Sequence, residues 1–240
     1  LTGIDGQPVE RIVDGMKAYV GGTRNHFDQF GSLFYLESPA LLHAAGYASA
    51  DDRVTLQLRL QDGAAREAVL VADPPDAKAP RVFSDRYLAP QPIDGESSEW
   101  KPLLAADSAM PLFLRDYDNP FHSESLDGSQ TYYAQFRSNA DEPRHPIGEF
   151  IARIEREIAA TRPRRVIVDL RLDQGGNFTK TASLMKRLPT LVDSIGHVAV
   201  LTSAWTFSAG DVSLALLKDR GGAKVNIVGE TAGDRIRIWA

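Results

Sequence analysis

The run Val166-Ile167-Val168-Asp169-Leu170 constrains this chain more than any other. It lacks the in-out alternation of a strand with one wet face. A strand of this kind is buried on both sides, which is the signature of a parallel sheet covered by helices. The flanking sequence agrees. Upstream, Tyr132-Tyr133-Ala134-Gln135-Phe136 reads as a strand, and Ile147, Phe150, Ile151, Ile154 and Ile158 mark one face of a helix. Downstream come a glycine turn, a helix over about 179–188, a strand over 197–202 and a helix over 208–220. Gly221-Gly222 then stops that helix before a strand over 225–228. A β-α-β-α-β order predicts right-handed crossovers, a mostly parallel core and ligand binding at the carboxyl ends of the strands.

Residues 129–240 therefore form an α/β unit. Two other regions precede it. In residues 1–73, Pro8 is placed to open a helix carrying Val9, Ile12, Val13, Met16 and Tyr19 at helical spacing, with Gly21-Gly22 ending it. Ser38-Pro39 caps a second short helix that Gly46 stops. Val54 to Leu60 alternates with period two, Asp62-Gly63 signals a hairpin turn, and Ala68 to Val71 is the return strand. Residues 74–128 read as an extended connector: 8 of the 14 prolines fall between Pro74 and Pro120, and periodicity disappears. Tyr87, Trp100, Phe113, Tyr117 and Phe121 predict that this connector packs against its neighbours.

Composition excludes several kinds of chemistry. With no cysteine there is no thiol catalysis, disulfide or thiolate metal site. A net charge of −5 and the absence of a basic cluster argue against nucleic acid as a partner. No apolar run reaches the ~18 residues of a membrane span. No histidine pair has metal-ligand spacing and no acidic loop has calcium-loop spacing, so neither a metal nor another cofactor is expected. Leu1 to Gly6 reads as the inside of a domain and Arg235 to Ala240 as a strand cut short. The chain is therefore expected to be a piece of a longer one.

Two loops at the predicted carboxyl ends of strands carry the residues suited to chemistry. In Thr206-Phe207-Ser208-Ala209-Gly210-Asp211, a serine sits at a strand-to-helix turn beside free helix N–H groups that can hold an oxyanion. The same turn also reads as a helix cap. In Asp169-Leu170-Arg171-Leu172-Asp173-Gln174-Gly175-Gly176, a strand runs into two glycines, which can present bare backbone to whatever lies above the sheet. It reads equally as a tight turn. No phosphate loop and no G-x-S-x-G elbow occur.

These two segments, followed by Gly229-Glu230-Thr231-Ala232-Gly233, resemble in order the D-L-R-x-N-x-G-G, T-x-S-A-[SAG]-[ED] and G-E-x-T-x-G segments of the S41 family of serine peptidases. That family comprises the C-terminal processing, or tail-specific, proteases and their tricorn-core relatives. Ile4-Asp5-Gly6-Gln7-Pro8-Val9 is similar to the I-x-G-x-P-V segment of the PDZ-like domain these proteins carry. The resemblance implies an α/β fold: a crotonase/ClpP-like catalytic core with a PDZ-like α+β segment and an extended connector. It implies a serine-type endopeptidase with Ser208 as nucleophile. The amides of Ala209 and of Gly175 or Gly176 would form the oxyanion hole, and peptides or unfolded proteins would be the substrates. It further implies a periplasmic, secreted or envelope location.

The chain departs from the family pattern at the general base. Classical members place a lysine after the third segment, where this chain has Asp234 and Arg235 in a segment one residue shorter. Arginine does not deprotonate usefully at neutral pH, and an ordinary aspartate is a weak base for a hydroxyl. Lys218 lies ten residues along the helix from Ser208, roughly 15 Å away. Tricorn-like relatives take a histidine from a segment upstream of the PDZ-like unit. Within the chain the base candidates are His122 and His145, both read as lying in loops; His26, His43 and His197 are read elsewhere. Asp211, in the first helical turn, reads as structural. Two alternatives stay open: a catalytically silent peptide-binding protein on the same fold, and a crotonase-like acyl-CoA enzyme, for which no basic phosphate site is evident. Oligomeric state is not legible.

Overall fold

The computed structural model describes residues 1–73, 90, 104, 109–117, 119–142, 144–193 and 195–235, with nothing said of the side chains of 33 and 34. Most of the predicted connector, including Tyr87 and Trp100, lies outside the described residues, as does the stretch after Arg235. The chain divides into two compact units, Leu1–Ala79 and Pro80–Ala240.

In the first unit, short strands β1 (Gly3–Ile4) and β2 (Gln7–Pro8) lead into α1 (Val9–Met16), which Pro8 opens as the sequence predicts. The helix ends at Met16 in a 3-10 turn, Lys17–Tyr19, earlier than the glycine pair suggested. A helical stretch without a clear periodic signal follows: α2 (Arg24–His26), a π-helical turn at Phe27–Gly31, and α3 (Ser32–Tyr35). Thr23 caps it by accepting the His26 N–H at 3.2 Å. Helix α4 (Pro39–Ala44) is capped by Ser38. Strands β3 (Arg53–Arg59) and β4 (Ala65–Val71) form the expected hairpin. The sheet order is β2-β1-β3-β4, all antiparallel. Ile4, Ile12, Met16, Phe27, Leu42 and Val54 form its core.

In the second unit the sheet order is β5 (Phe121–Leu126), β6 (Thr131–Phe136), β7 (Arg165–Asp169), β8 (His197–Thr202), β9 (Val225–Gly229). Strands β6 to β9 run parallel, and β5 pairs antiparallel with β6. The connections are α5 (Ile147–Thr161), α6 (Thr179–Leu191) and α7 (Ala209–Gly221). Parallel strands laid side by side in chain order, joined by right-handed crossovers, put all their helices on one face. The core reflects this. Tyr132, Ala134, Val166, Val168, Val198 and Val200 pack with Ile154 and Ile158 of α5, Leu184 and Leu188 of α6, and Leu217 of α7.

The opposite face is polar where β6 and β7 cross it. Gln135 Nε2 and Arg137 Nη2 donate to the Phe113 carbonyl at 3.0 and 2.9 Å, and the Arg171 guanidinium lies 4.4 Å from the Phe113 ring centroid. The connector around Phe113 and Tyr117 thus packs on the sheet, as these aromatics predicted, and Phe121 is buried in the core. One element differs from expectation: residues 121–126 form β5 rather than extended connector. Only the two ends of Phe121-His122-Ser123-Glu124-Ser125-Leu126 are apolar. On a sheet edge the polar middle is tolerated, and the alternation that betrays a strand is missing.

In the first unit, the Asp5 carboxylate accepts the Ser49 N–H (2.7 Å), the Ser49 hydroxyl (2.8 Å) and the Thr55 N–H (2.7 Å). Backbone bonds from Ser49 and Thr55 hold its pKa below the ordinary carboxylate value. That stabilisation is present above the unfolded value of about 4 and lost as pH falls through the lower folded one. Asp5→Ala is expected to destabilise the first unit by about 1–3 kcal/mol at pH 7. Thermal melts should show the deficit narrowing below about pH 4.

Candidate functional site

The site is built where three loops meet at the carboxyl ends of β7, β8 and β9. The turn after β8 is stitched to the loop after β7. The Phe207 N–H donates to the Asp173 carbonyl at 2.9 Å, and the Thr206 hydroxyl to the Leu170 carbonyl at 2.8 Å. The segment after β9 is stitched to the same turn. The Gly233 N–H donates to the Thr206 carbonyl (2.7 Å), the Glu230 N–H to the Thr202 carbonyl (3.1 Å), and the Ala204 N–H to Glu230 Oε2 (3.2 Å). The three segments singled out in the sequence therefore converge on one place.

Ser208 stands at the centre of that place. It is exposed, and its backbone sits at φ 52°, ψ −115°, a region that residues other than glycine rarely occupy. Such a conformation costs about 1–3 kcal/mol and persists only where surrounding bonds impose it. It also makes Ser208 the residue preceding α7, so the first helical N–H, that of Ala209, is left without an intrahelical partner.

Gly175 packs against this turn. A methyl group on Gly175 would stand 2.6 Å from Ser208 Cβ and 2.9 Å from the Ala209 nitrogen, and its φ is +106°. Only glycine permits the approach. The two glycine amides differ. The Gly175 N–H donates to Asp173 Oδ1 at 2.9 Å. Gly176 forms a parallel bridge with Asn139, in which the Asn139 N–H donates to the Gly175 carbonyl and the Asn177 N–H to the Asn139 carbonyl. That pattern turns the Gly176 amide away from Asn139. Among the described residues, neither the Gly176 N–H nor the Ala209 N–H meets an acceptor.

Asp173 is fully buried beneath these amides, against Gly210 and Asn139. Asn139 Nδ2 lies 3.4 Å from Asp173 Oδ2, and Asn139 Oδ1 is buried with no partner among the described residues. Desolvation pushes the Asp173 carboxyl up to about 8, partly offset by the Gly175 N–H. Asp169, also buried, has a different task. It accepts from the Tyr133 hydroxyl at 2.7 Å and from the Arg171 guanidinium at 2.6 and 3.0 Å, which anchors the base of the loop.

Asp211 is buried in the first turn of α7, and its pKa is raised to about 6 by burial and then by the charge of Asp234. Asp234 Oδ2 accepts the Ser208 N–H at 3.2 Å. The two histidine candidates lie elsewhere. His122 is on β5, not in a loop, with Nε2 3.3 Å from Glu124 Oε2. His145 pairs its backbone with Glu142 and lines a surface hollow of about 430 Å³ beside Phe121, Phe150 and Arg153. Neither hydrogen-bonds to Ser208 among the described residues. Sequence reasoning missed the burial of Asp173 and its contact with Asn139; an aspartate two residues before a glycine is the signal of the turn it makes. Among the described residues no three metal-ligating side chains group together, and no helix is long and apolar enough to cross a membrane.

No protein-family model matches the chain, and no curated protein does. Solved structures with partial likeness include the photosystem II D1 C-terminal processing protease (12% identity, 96% of this chain and 50% of that one, TM-score 0.38). A candidate S41 protease from Bacteroides fragilis NCTC 9343 is 12% identical over 75% of this chain and 47% of that one, TM-score 0.36. A lipoprotein from Streptococcus agalactiae is 14% identical over 48% of this chain and 51% of that one, TM-score 0.38. The chain spans about half the length of these structures.

Two predictions follow from the geometry of the turn. The folded state holds Asp173 protonated where the unfolded chain has released the proton, so stability falls as pH rises from about 4 to about 8. Asp173→Asn keeps an oxygen for the Gly175 N–H and cannot ionise. It should stabilise the fold at pH 8 by several kcal/mol, at about 1.4 kcal/mol for each pH unit above 4, seen as a higher melting temperature, and leave stability nearly unchanged at pH 4. Ser208→Gly should gain about 1 kcal/mol by relieving the backbone, whereas Ser208→Ala should gain nothing; denaturant melts at pH 7 compare the two.

Proposed function

We propose that this chain is the peptide-hydrolysing part of a serine-type peptidase of the S41 class, with Ser208 as nucleophile. The observation that carries this reading is the strained, exposed Ser208 beside two amides without acceptors. Strain of this kind, held by the bonds from Phe207, Thr206 and Gly233, aims a hydroxyl out of the turn. The Ser208 oxygen attacks the scissile carbonyl. The N–H groups of Ala209 and Gly176 receive the oxyanion, and each such donor is worth about 3–4 kcal/mol in the transition state. Of the two glycines, Gly176 suits this role better, because Asp173 already occupies the Gly175 N–H. No cofactor enters this chemistry.

The first unit, read as PDZ-like, receives peptide ends by strand addition. The outer edge of β4, the last strand in its sheet, supports this, with Val69, Leu70 and Val71 exposed along it. Peptides or unfolded proteins are the substrates, and an envelope, periplasmic or secreted location accompanies the S41 reading. A second reading has its own support: Asp234, not a lysine, meets Ser208. On that reading the same fold binds peptides without cleaving them.

A fluorophosphonate probe separates the two. Hydrolase chemistry predicts labelling of the wild type at Ser208, reduced at least roughly 10³-fold in Ser208→Ala. A folded wild type that binds peptide but takes no label supports the silent reading.

A further inference from the structure

One carboxylate touches the proposed nucleophile's own residue. The Ser208 N–H donates to Asp234 Oδ2 at 3.2 Å. A serine Oγ lies about 3 Å from its own nitrogen in a gauche rotamer. Rotation about Cα–Cβ therefore brings the hydroxyl within reach of that carboxylate, directly or through one water. Asp234 is held there from behind. The Gly233 N–H is bonded to the Thr206 carbonyl, and Asp234 Oδ1 accepts the Arg235 N–H at 2.7 Å. Asp211, three residues past Ser208 on α7, is buried and within the field of Asp234.

Resting on the reading of Ser208 as nucleophile, we infer that Asp234 is the general base for the Ser208 hydroxyl. The proton leaves Oγ for Asp234 Oδ2 as the Oγ–C bond forms. Asp234 then gives that proton to the leaving nitrogen as the C–N bond breaks. Water then attacks the acyl carbon, giving a proton to Asp234 as its O–C bond forms, and Asp234 returns that proton to Ser208 Oγ as the C–Oγ bond breaks and the acid leaves. An ordinary carboxylate is a weak base toward an alcohol, so the reaction is slow and fastest with activated acyl groups.

The pair also sets a pH window. Asp211 and Asp234 are carboxylates in unlike environments, one buried and raised to about 6 by desolvation and by its partner's charge. The other charged groups on these elements are accounted for. Arg235 follows Asp234 in the chain, Glu230 accepts the Ala204 N–H, and Asp173 lies buried behind Gly210. The reactive state has Asp211 protonated. Above about pH 6 Asp211 ionises, placing a second negative charge in the first turn of α7, where it opposes that helix N-terminus holding an oxyanion. Reactivity therefore peaks on the acid side of 6 and falls as pH rises through it.

The test is the rate of fluorophosphonate labelling of the full chain from pH 4 to 8, in the wild type, Ser208→Ala, Asp234→Asn, Asp234→Glu and Asp211→Asn, each checked by a thermal melt. The expected result is a loss of at least about 10²-fold in Asp234→Asn, partial retention in Asp234→Glu, and a falling limb near pH 6 that disappears in Asp211→Asn. Wild-type rates in folded Asp234→Asn, with Ser208→Ala unlabelled, overturn the base assignment while leaving Ser208 the nucleophile. If Asp234→Asn does not fold, a wild-type profile flat across pH 4–8 overturns it instead. A folded wild type that takes no label, or a labelled Ser208→Ala, overturns the nucleophile reading and this one with it.

Discussion

The bond from the Phe207 N–H to the Asp173 carbonyl, 2.9 Å long, is the seam on which the site depends. It joins the loop after β7 to the turn after β8. Together with the bond from the Thr206 hydroxyl to the Leu170 carbonyl, it lays Gly175 against Ser208 and gathers the Gly176 and Ala209 amides from two strand ends. With it, the chain at Ser208 must reverse over a single residue before α7 begins, which forces the backbone to positive φ. The same reversal exposes the serine and strips the first helical amide of a partner. Strain, exposure and open donors are consequences of one stitch.

Electrostatics at the site pull in two directions. The α7 N-terminus and the two open amides favour negative charge. Around them the chain has placed carboxylates: Asp173 beneath, Asp211 in the first turn, Asp234 above. Burial resolves part of the conflict, since desolvation keeps Asp173 and Asp211 protonated well above the usual carboxylate range. A neutral Asp173 can support the Gly175 turn without opposing an oxyanion.

Much of this was legible in the sequence, and the reasons are local. Buried parallel strands are nearly all apolar, so β7 and β8 stand out; α5 follows helical spacing, and a glycine pair stops α7. The convergence of the Gly175 and Ser208 loops follows from strand order alone. What was not legible depends on edges and on burial. Strand β5 has one unpaired edge and a polar middle, and so shows no periodicity. The helical stretch at 24–35 includes a π-helical turn, whose spacing differs from the 3.6-residue period. Asp173 looks like any turn aspartate until packing against Asn139 and Gly210 removes its water. The contact between Asp234 and Ser208 spans 26 residues, and no local pattern encodes it.

The segment after β9 has a role that its sequence conceals. Its backbone closes the turn from above through Gly233, and Glu230 fastens the start of that turn through Ala204. Only then does Asp234 arrive, with its position dictated by the bonds before it. The bonds of Phe207 and Gly233 are backbone to backbone, while the Thr206 hydroxyl, the Glu230 carboxylate and Asp234 itself add side-chain bonds to the same turn. On the inference that Asp234 takes the Ser208 proton, position 234 joins two tasks, since the same carboxylate holds the Ser208 N–H that fixes the strained turn.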